Sequence, residues 1–191
     1  MSVLDLCTGS GCIPLLLCHL LPSGSAHAIG VDVAEDAIKL ATDNAARCDI
    51  ATARGESDDN SRNVFTPVVG DICDPDLLNS LPAPFDLITA NPPYIPRKQY
   101  DELPPTIKDY EDRRALLGDL PGSHDGLSFY HFIARFLAQK GVFRDQAIVA
   151  FEVGDGTAQA VETILHKSAG LKNTETWTDP LGKQCVVLAR T

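Results

Sequence analysis

Phe85-Asp-Leu-Ile-Thr-Ala-Asn-Pro-Pro-Tyr-Ile-Pro96 is the stretch on which the reading of this chain turns. It opens apolar and β-prone and stops at Asn91-Pro92-Pro93-Tyr94, where adjacent prolines can continue neither a ladder nor a helix. A strand over Phe85–Ala90 is therefore predicted to end in a rigid elbow. Proline holds the residue before it in extended geometry and carries no N–H, so Asn91 and Pro92 have restricted backbones and the elbow offers mostly acceptors. The Asn91 side-chain oxygen and the Pro92 carbonyl can between them take both hydrogens of a planar –NH2 group, with Tyr94 as a flanking wall. Such a site suits methylation of an amide or an exocyclic amine. A purely structural Pro-Pro turn needs neither the Asn before it nor the Tyr after it.

Upstream, Val3–Leu6 reads as a short strand leading through Cys7-Thr8-Gly9-Ser10-Gly11 into an apolar helix, Cys12–Leu21, closed by Pro22-Ser23-Gly24. Strand, glycine turn and helix make the first half of a βαβ unit. Ala26–Val33 reads as the second strand, with Asp32 near its end, and Ala34–Arg47 as a helix with Ala37, Ile38, Ala41 and Ala45 on one face. Asp32 is either a surface acid or, at a strand's carboxyl end beyond a glycine turn, an acceptor for both hydroxyls of a ribose. The third glycine of a G-x-G-x-x-G pattern is replaced by Pro14, which counts against a dinucleotide and favours a cofactor without a phosphate. Residues 48–63 are polar and aperiodic and are predicted to be an exposed insertion, mobile at its centre. Phe65–Val69 reads as the third strand, followed by Gly70-Asp71-Ile72 and a short helix over Asp74–Leu81, capped by Asp74 or by the Asp76 turn. Asp71 is either a helix cap or a further strand-end acid able to reach an adenine.

Beyond the elbow, residues 95–125 are rich in Pro, Asp and Arg without a period, which predicts a long functional loop that can act as a lid. Gly126–Lys140 has the spacing of an amphipathic helix ending at Gly141. Gln146–Val153 is apolar throughout, as in a central parallel strand. Thr157–Ser168 reads as a helix, and Asn173–Thr178 and Gln184–Ala189 as two strands joined by the turn Asp179-Pro-Leu-Gly182. The expectation is an α/β fold, a seven-stranded and mostly parallel sheet with helices on both faces and a closing antiparallel hairpin.

Composition sets the outer bounds. A chain of 191 residues with 44% apolar content suits a single domain over 1–191 with a sizeable core. Its formal charge is −10, from 16 basic and 26 acidic residues, and no basic run exceeds Arg113-Arg114, which argues against a large nucleic-acid footprint. Cys7, Cys12, Cys18, Cys48, Cys73 and Cys185 contain no C-x-x-C pair and are read as reduced core thiols. The five histidines show no ligand spacing, so no metal is expected, and no Ser-His-Asp or Cys-His signature is present. Trp177 and Phe151 read as core, and Glu111 to Arg114 as a solvated charged loop with Glu111 the one candidate for function. No stretch is long enough to span a bilayer, and no targeting segment is visible. A strand that begins within two residues of Met1 leads us to expect upstream sequence that this chain lacks.

Asp5-Leu-Cys-Thr-Gly-Ser-Gly11, Val31-Asp32, Gly70-Asp71 and Asn91-Pro-Pro-Tyr-Ile95, in this order and spacing, resemble the S-adenosylmethionine-dependent methyltransferases that modify a glutamine of peptide-chain release factors, the HemK-like family. The resemblance continues weakly through Leu116–Tyr130, Phe151-Glu-Val-Gly154 and Asp179–Arg190. It implies a Rossmann-like class I methyltransferase with S-adenosylmethionine as cofactor and S-adenosylhomocysteine as product. By the same resemblance Cys7, Thr8, Gly9, Ser10, Gly11, Asp32, Asp71, Ile72 and Asn91 would hold the cofactor. Asn91, Pro92, Pro93 and Tyr94 would form the catalytic elbow, with Asn91 and Pro92 accepting the amide hydrogens. The implied partner is the glutamine-bearing loop of a release factor, with neither membrane nor nucleic acid as direct substrate. The helical N-terminal domain usual in the family is expected to be missing, and the long connection after Arg47 points to a eukaryotic member, mitochondrial or cytoplasmic. Two other readings stay open: a methyltransferase for adenine-type amines of nucleic acid, whose related elbows also hold an –NH2, and a cofactor-binding but catalytically idle truncated domain.

Overall fold

The structure is a computed structural model that describes residues 1–52 and 61–191. In chain order it runs β1 (Ser2–Leu6), α1 (Cys12–Leu20), β2 (His27–Asp32), α2 (Glu35–Arg47), β3 (Ala51–Thr52), β4 (Val64–Val69), α3 (Pro75–Ser80) and β5 (Phe85–Ala90). There follow α4 (Arg97–Asp101), α5 (Pro105–Lys108), α6 (Arg113–Leu116), α7 (Ser128–Leu137), β6 (Phe143–Glu152), α8 (Ala158–Ile164) with a π-helical turn over Leu165–Ala169, β7 (Asn173–Thr178) and β8 (Gln184–Arg190). The strands form one sheet in the order β3-β4-β2-β1-β5-β6-β8-β7. β1 pairs parallel with β2 and β5, β4 pairs parallel with β2 and β3, and β7 pairs antiparallel with β8.

The chain divides into two compact units, Met1–Ala90 with Lys140–Ala150 and Thr191, and Asn91–Gln139 with Phe151–Arg190. In the first, Val3, Leu4 and Leu6 are wholly buried, as expected for a strand paired on both sides and covered on both faces. One face packs Val3, Ala28 and Phe65 against Leu15 and Cys18 of α1 and Ala41 and Ala45 of α2. Asn63 ties these pieces together. Its Oδ1 accepts from Ser25 N and Ala26 N, both at 2.9 Å, and its Nδ2 donates to the α1 carbonyls of Cys18 and of Leu21 just beyond, at 2.8 and 3.0 Å. Carbonyls that a helix end leaves open are thereby satisfied out of water. α2 carries Glu35 and Asp36 in its first turn and Arg47 in its last, matching the helix dipole.

In the second unit α7 buries Tyr130, Ile133, Ala134, Phe136 and Leu137. The Tyr130 and Phe151 rings lie 6.2 Å apart, and the Tyr130 hydroxyl donates to the Glu152 carbonyl at 2.7 Å. Gly170, at φ 75, ends the π-helical turn after α8, where a left-handed residue closes a helix at little cost.

Several expectations are corrected. The sheet has eight strands rather than seven, because Ala51–Thr52, inside the predicted insertion, pairs with Val64–Phe65. A two-residue strand is held by its backbone and leaves no side-chain period to read. The same segment contributes the Arg62–Asp49 ion pair at 2.8 Å and the buried Asn63; residues 53–60, the predicted mobile centre, lie outside the described residues. The 95–125 stretch is not one open loop: it contains α4, α5 and α6, and Ile95 bridges Leu117. Trp177 is 48% exposed rather than core, since β7 is the edge strand of the sheet. Of the cysteines only Cys18 is buried, while Cys12 and Cys48 are exposed. No helix among the described residues is long and apolar enough to cross a membrane.

Candidate active site

Within the first unit the turn after β1 is built from left-handed residues, Cys7 at φ 58, Gly9 at φ 55 and Gly11 at φ 76. Glycine takes this conformation without strain, whereas Cys7 takes it against its own Cβ. The turn is closed by Gly11 N donating to Thr8 O at 2.9 Å and anchored to β2 by Thr8 N donating to Val31 O at 3.0 Å. Asp32 then clamps it: Oδ2 accepts from Gly9 N at 2.8 Å and Oδ1 from Ala34 N at 2.9 Å. The Ser10 carbonyl accepts from Asn44 Nδ2 at 3.0 Å. Gly30 must be glycine here, since a Cβ would come within 2.7 Å of Thr8 Oγ1 and 2.8 Å of Phe65 Cε2.

Behind the turn lies a carboxylate to which the sequence reading gave no role. Asp5, 1% exposed, accepts from Thr8 Oγ1 and Thr89 Oγ1, each at 2.6 Å, so β1, the turn and β5 share one buried polar centre. Desolvation pushes its pKa up to about 6, the two hydroxyls oppose the rise, and Asp32 adds to it. The Cys7 thiol is pushed well above the ordinary range, first by desolvation, then by Asp32, Asp5, Cys73 and Asp71. An acid inside the apolar run Val3-Leu-Asp-Leu6 was the available signal.

The segment after β4 joins the same neighbourhood, with Gly70 N donating to Asp32 O at 2.8 Å. Asp71 is exposed and its Oδ1 accepts from Cys73 N at 2.8 Å. It is not the helix cap: Asp74 caps α3, accepting from Asp76 N at 2.9 Å. Ile72 is 5% exposed. The first unit thus brings Cys7 to Gly11, Asp32 and Asp71 together at the carboxyl ends of β1, β2 and β4, the side on which open α/β sheets take their ligands.

The elbow belongs to the second unit, entered directly from the end of β5. Asn91 is exposed and Pro92 and Pro93 are buried. Among the described residues, no group donates to Asn91 Oδ1 or Pro92 O. Tyr94 is half-buried, and its seat is made by glycines: a Cβ on Gly154 would meet its Cδ2 at 2.8 Å, one on Gly118 its Cα at 2.7 Å, and one on Gly126 would run into its carbonyl. Desolvation, then the Glu152 carboxylate, raise the Tyr94 pKa. Glu111 is exposed, in line with a solvated loop residue.

Eight parallel-dominated strands with this glycine turn define a class I methyltransferase fold. Solved structures of the same fold include a methyltransferase from Pyrococcus furiosus (TM-score 0.61, 15% identity, 99% of this chain and 74% of that one). Another is an S-adenosylmethionine-dependent methyltransferase from Aquifex aeolicus (TM-score 0.56, 16% identity, 100% and 81%). No protein-family model matches the chain. At the level of sequence it is similar to proteins named release factor glutamine methyltransferase: 33% identical over 190 residues to that of Bacillus cereus, covering 99% of this chain and 59% of the relative. It is 37% identical over 162 residues to that of Thermodesulfovibrio yellowstonii, covering 85% and 50%. The chain thus spans about half the length of the curated relatives it matches. The resemblance read from the turn and the elbow is to this same group of proteins.

Proposed function

We propose that this chain transfers a methyl group from S-adenosylmethionine to the side-chain amide nitrogen of a glutamine in a peptide-chain release factor, with residues 1–191 acting as one methyltransferase domain. The observation that carries the reading is the elbow, whose Asn91 and Pro92 acceptors no protein donor occupies among the described residues, in a chain similar to release factor glutamine methyltransferases.

The donor set fits the cofactor. Cys7 to Gly11 includes no Lys or Arg, as suits a ligand without a phosphate, and Gly9, where a Cβ would meet nothing within 4 Å, leaves room for close backbone approach. Each Asp32 oxygen accepts one backbone N–H and keeps lone pairs for ribose hydroxyls, and the exposed Asp71, beside Ile72, has carboxylate lone pairs beyond the one that takes Cys73 N with which to accept an amino group. The bound cofactor would supply a methyl group on a positively charged sulfur. A glutamine amide is a poor nucleophile because its lone pair is delocalised into the carbonyl. Asn91 Oδ1 and Pro92 O would accept the two N–H hydrogens, fix the nitrogen's direction and localise its lone pair, a gain in proximity and in preorganised electrostatics. Tyr94 would wall the amide plane. The nitrogen gains the methyl and sheds one proton to water, so no strong base is needed.

The test is methyl transfer from labelled S-adenosylmethionine to a release factor, to the same factor with its glutamine changed to alanine, and to adenine-containing RNA, alongside calorimetric titration with S-adenosylhomocysteine. Transfer that depends on the glutamine supports the reading. Transfer to RNA alone replaces it with the nucleic-acid amine reading, and binding without transfer to any acceptor replaces it with the idle domain. A mitochondrial or cytoplasmic location belongs to the same proposal and is checked by fractionation.

A further inference from the structure

We propose that Asp119 is a positioning residue of the elbow, fixing through its carboxylate the backbone that leaves Tyr94; this rests on the methyl-transfer reading above. The elbow has little of its own to hold it, since Pro92, Pro93 and Pro96 carry no N–H. Two of the donors that follow, Ile95 N and Arg97 N, are pinned by residues 116–126. Ile95 N donates to Leu116 O and Gly118 N to Ile95 O, both at 2.9 Å. Arg97 N donates to Asp119 Oδ2 at 2.6 Å, while Asp119 Oδ1 accepts from Gly126 N at 2.8 Å and Ser123 Oγ at 3.2 Å. One carboxylate therefore staples the exit of the elbow to the loop whose glycines, Gly118 and Gly126, seat the Tyr94 backbone.

Asp119 is 5% exposed and forms no ion pair among the described residues. Burial by itself would raise its pKa. The N–H groups of Arg97 and Gly126, the Ser123 hydroxyl and the nearby His124 outweigh that and hold it below the ordinary carboxylate range. A charge kept from water and satisfied by backbone donors on two segments specifies where those segments sit. Loss of the staple leaves Asn91 and Pro92 chemically intact but lets the backbone beyond them drift, and a misplacement of about 1 Å lowers a rate by about a hundredfold.

The experiment uses Asp119→Ala and Asp119→Asn in the full chain, with methyl transfer to a glutamine-bearing release factor, titration with S-adenosylhomocysteine, and amide hydrogen exchange at Arg97, Gly118 and Gly126 by NMR. In the folded Ala variant kcat should fall by about tenfold to a hundredfold with KM and cofactor affinity within about threefold. Exchange at Arg97 and Gly126 should accelerate while that of β5 does not. Asn keeps one acceptor and should lie between Ala and the parent protein; if the Ala variant fails to fold, the Asn variant carries the same test. Unchanged exchange at Arg97 and Gly126, or a kcat that follows only the folded fraction, overturns the assignment. If the parent protein methylates no glutamine substrate, the functional reading falls by itself. The exchange data then decide the positioning role alone, acceleration supporting it and no change overturning it.

Discussion

Replacing Asp5 with asparagine should remove a pH-dependent cost from the centre of the first unit. Asp5 is buried between β1, the turn and β5, and its pKa rises from 3.8 to about 6 on folding, chiefly through desolvation. A shift of about two units corresponds to about 3 kcal/mol, to order of magnitude. For a carboxyl whose folded pKa is raised, the native state binds the proton more tightly than the unfolded chain. Stability from this group is therefore fully present below 3.8 and is lost as pH rises through about 6. Asparagine is nearly isosteric and cannot ionise; it can accept from one of Thr8 and Thr89 and donate to the other once that hydroxyl turns. Urea unfolding of both proteins from pH about 4 to about 7.5, extrapolated to water, isolates this group because all others titrate in common. The difference should move by about 2.4 kcal/mol across that range, part of the full effect being already lost at pH about 4, in favour of the asparagine variant at the upper end. Parallel stability curves, or a shift favouring the parent protein as pH rises, would refute the reasoning.

Asn91→Ala should fold normally, because the exposed Asn91 side chain has no hydrogen-bond partner among the described residues, yet slow methyl transfer about a hundredfold or more in single-turnover assays. Asn91→Asp keeps the acceptor atoms but adds a charge, and should shift preference toward adenine-type amines; comparing a glutamine peptide with RNA reads this directly. Asp32→Ala should weaken S-adenosylhomocysteine binding by about 1.5–3 kcal/mol in calorimetry. It should also lower the melting temperature, since Gly9 N and Ala34 N lose their acceptor; a normal affinity would mark Asp32 as a turn clamp only. Gly30→Ala puts a Cβ 2.7 Å from Thr8 Oγ1 and should cost about 1–3 kcal/mol in urea unfolding, whereas an unchanged midpoint would mean that Thr8 and Phe65 yield easily.

What was legible in the sequence was whatever the local chain decides by itself. Two prolines stop a strand wherever they stand, so β5 was read residue for residue, as was β7, and the glycine turn announced itself through residues that tolerate left-handed geometry. The resemblance rested on the same local features. Contacts between distant residues were not legible: Thr89 reaches Asp5 across 84 positions, Arg97 N reaches Asp119 across 22, and neither leaves a period or a composition bias. β3 escaped because a two-residue ladder is a backbone event, and Trp177 was misread because aromatic character does not reveal that its strand lies at the sheet's edge. Spacing left Asp32 between a surface acid and a ribose acceptor, the resemblance put it among the cofactor residues, and only the folded chain shows that its carboxylate holds Gly9. Sequence fixes torsional preference and hydrophobic period, both properties of near neighbours; which buried carboxylate meets which hydroxyl or amide is settled when the sheet closes.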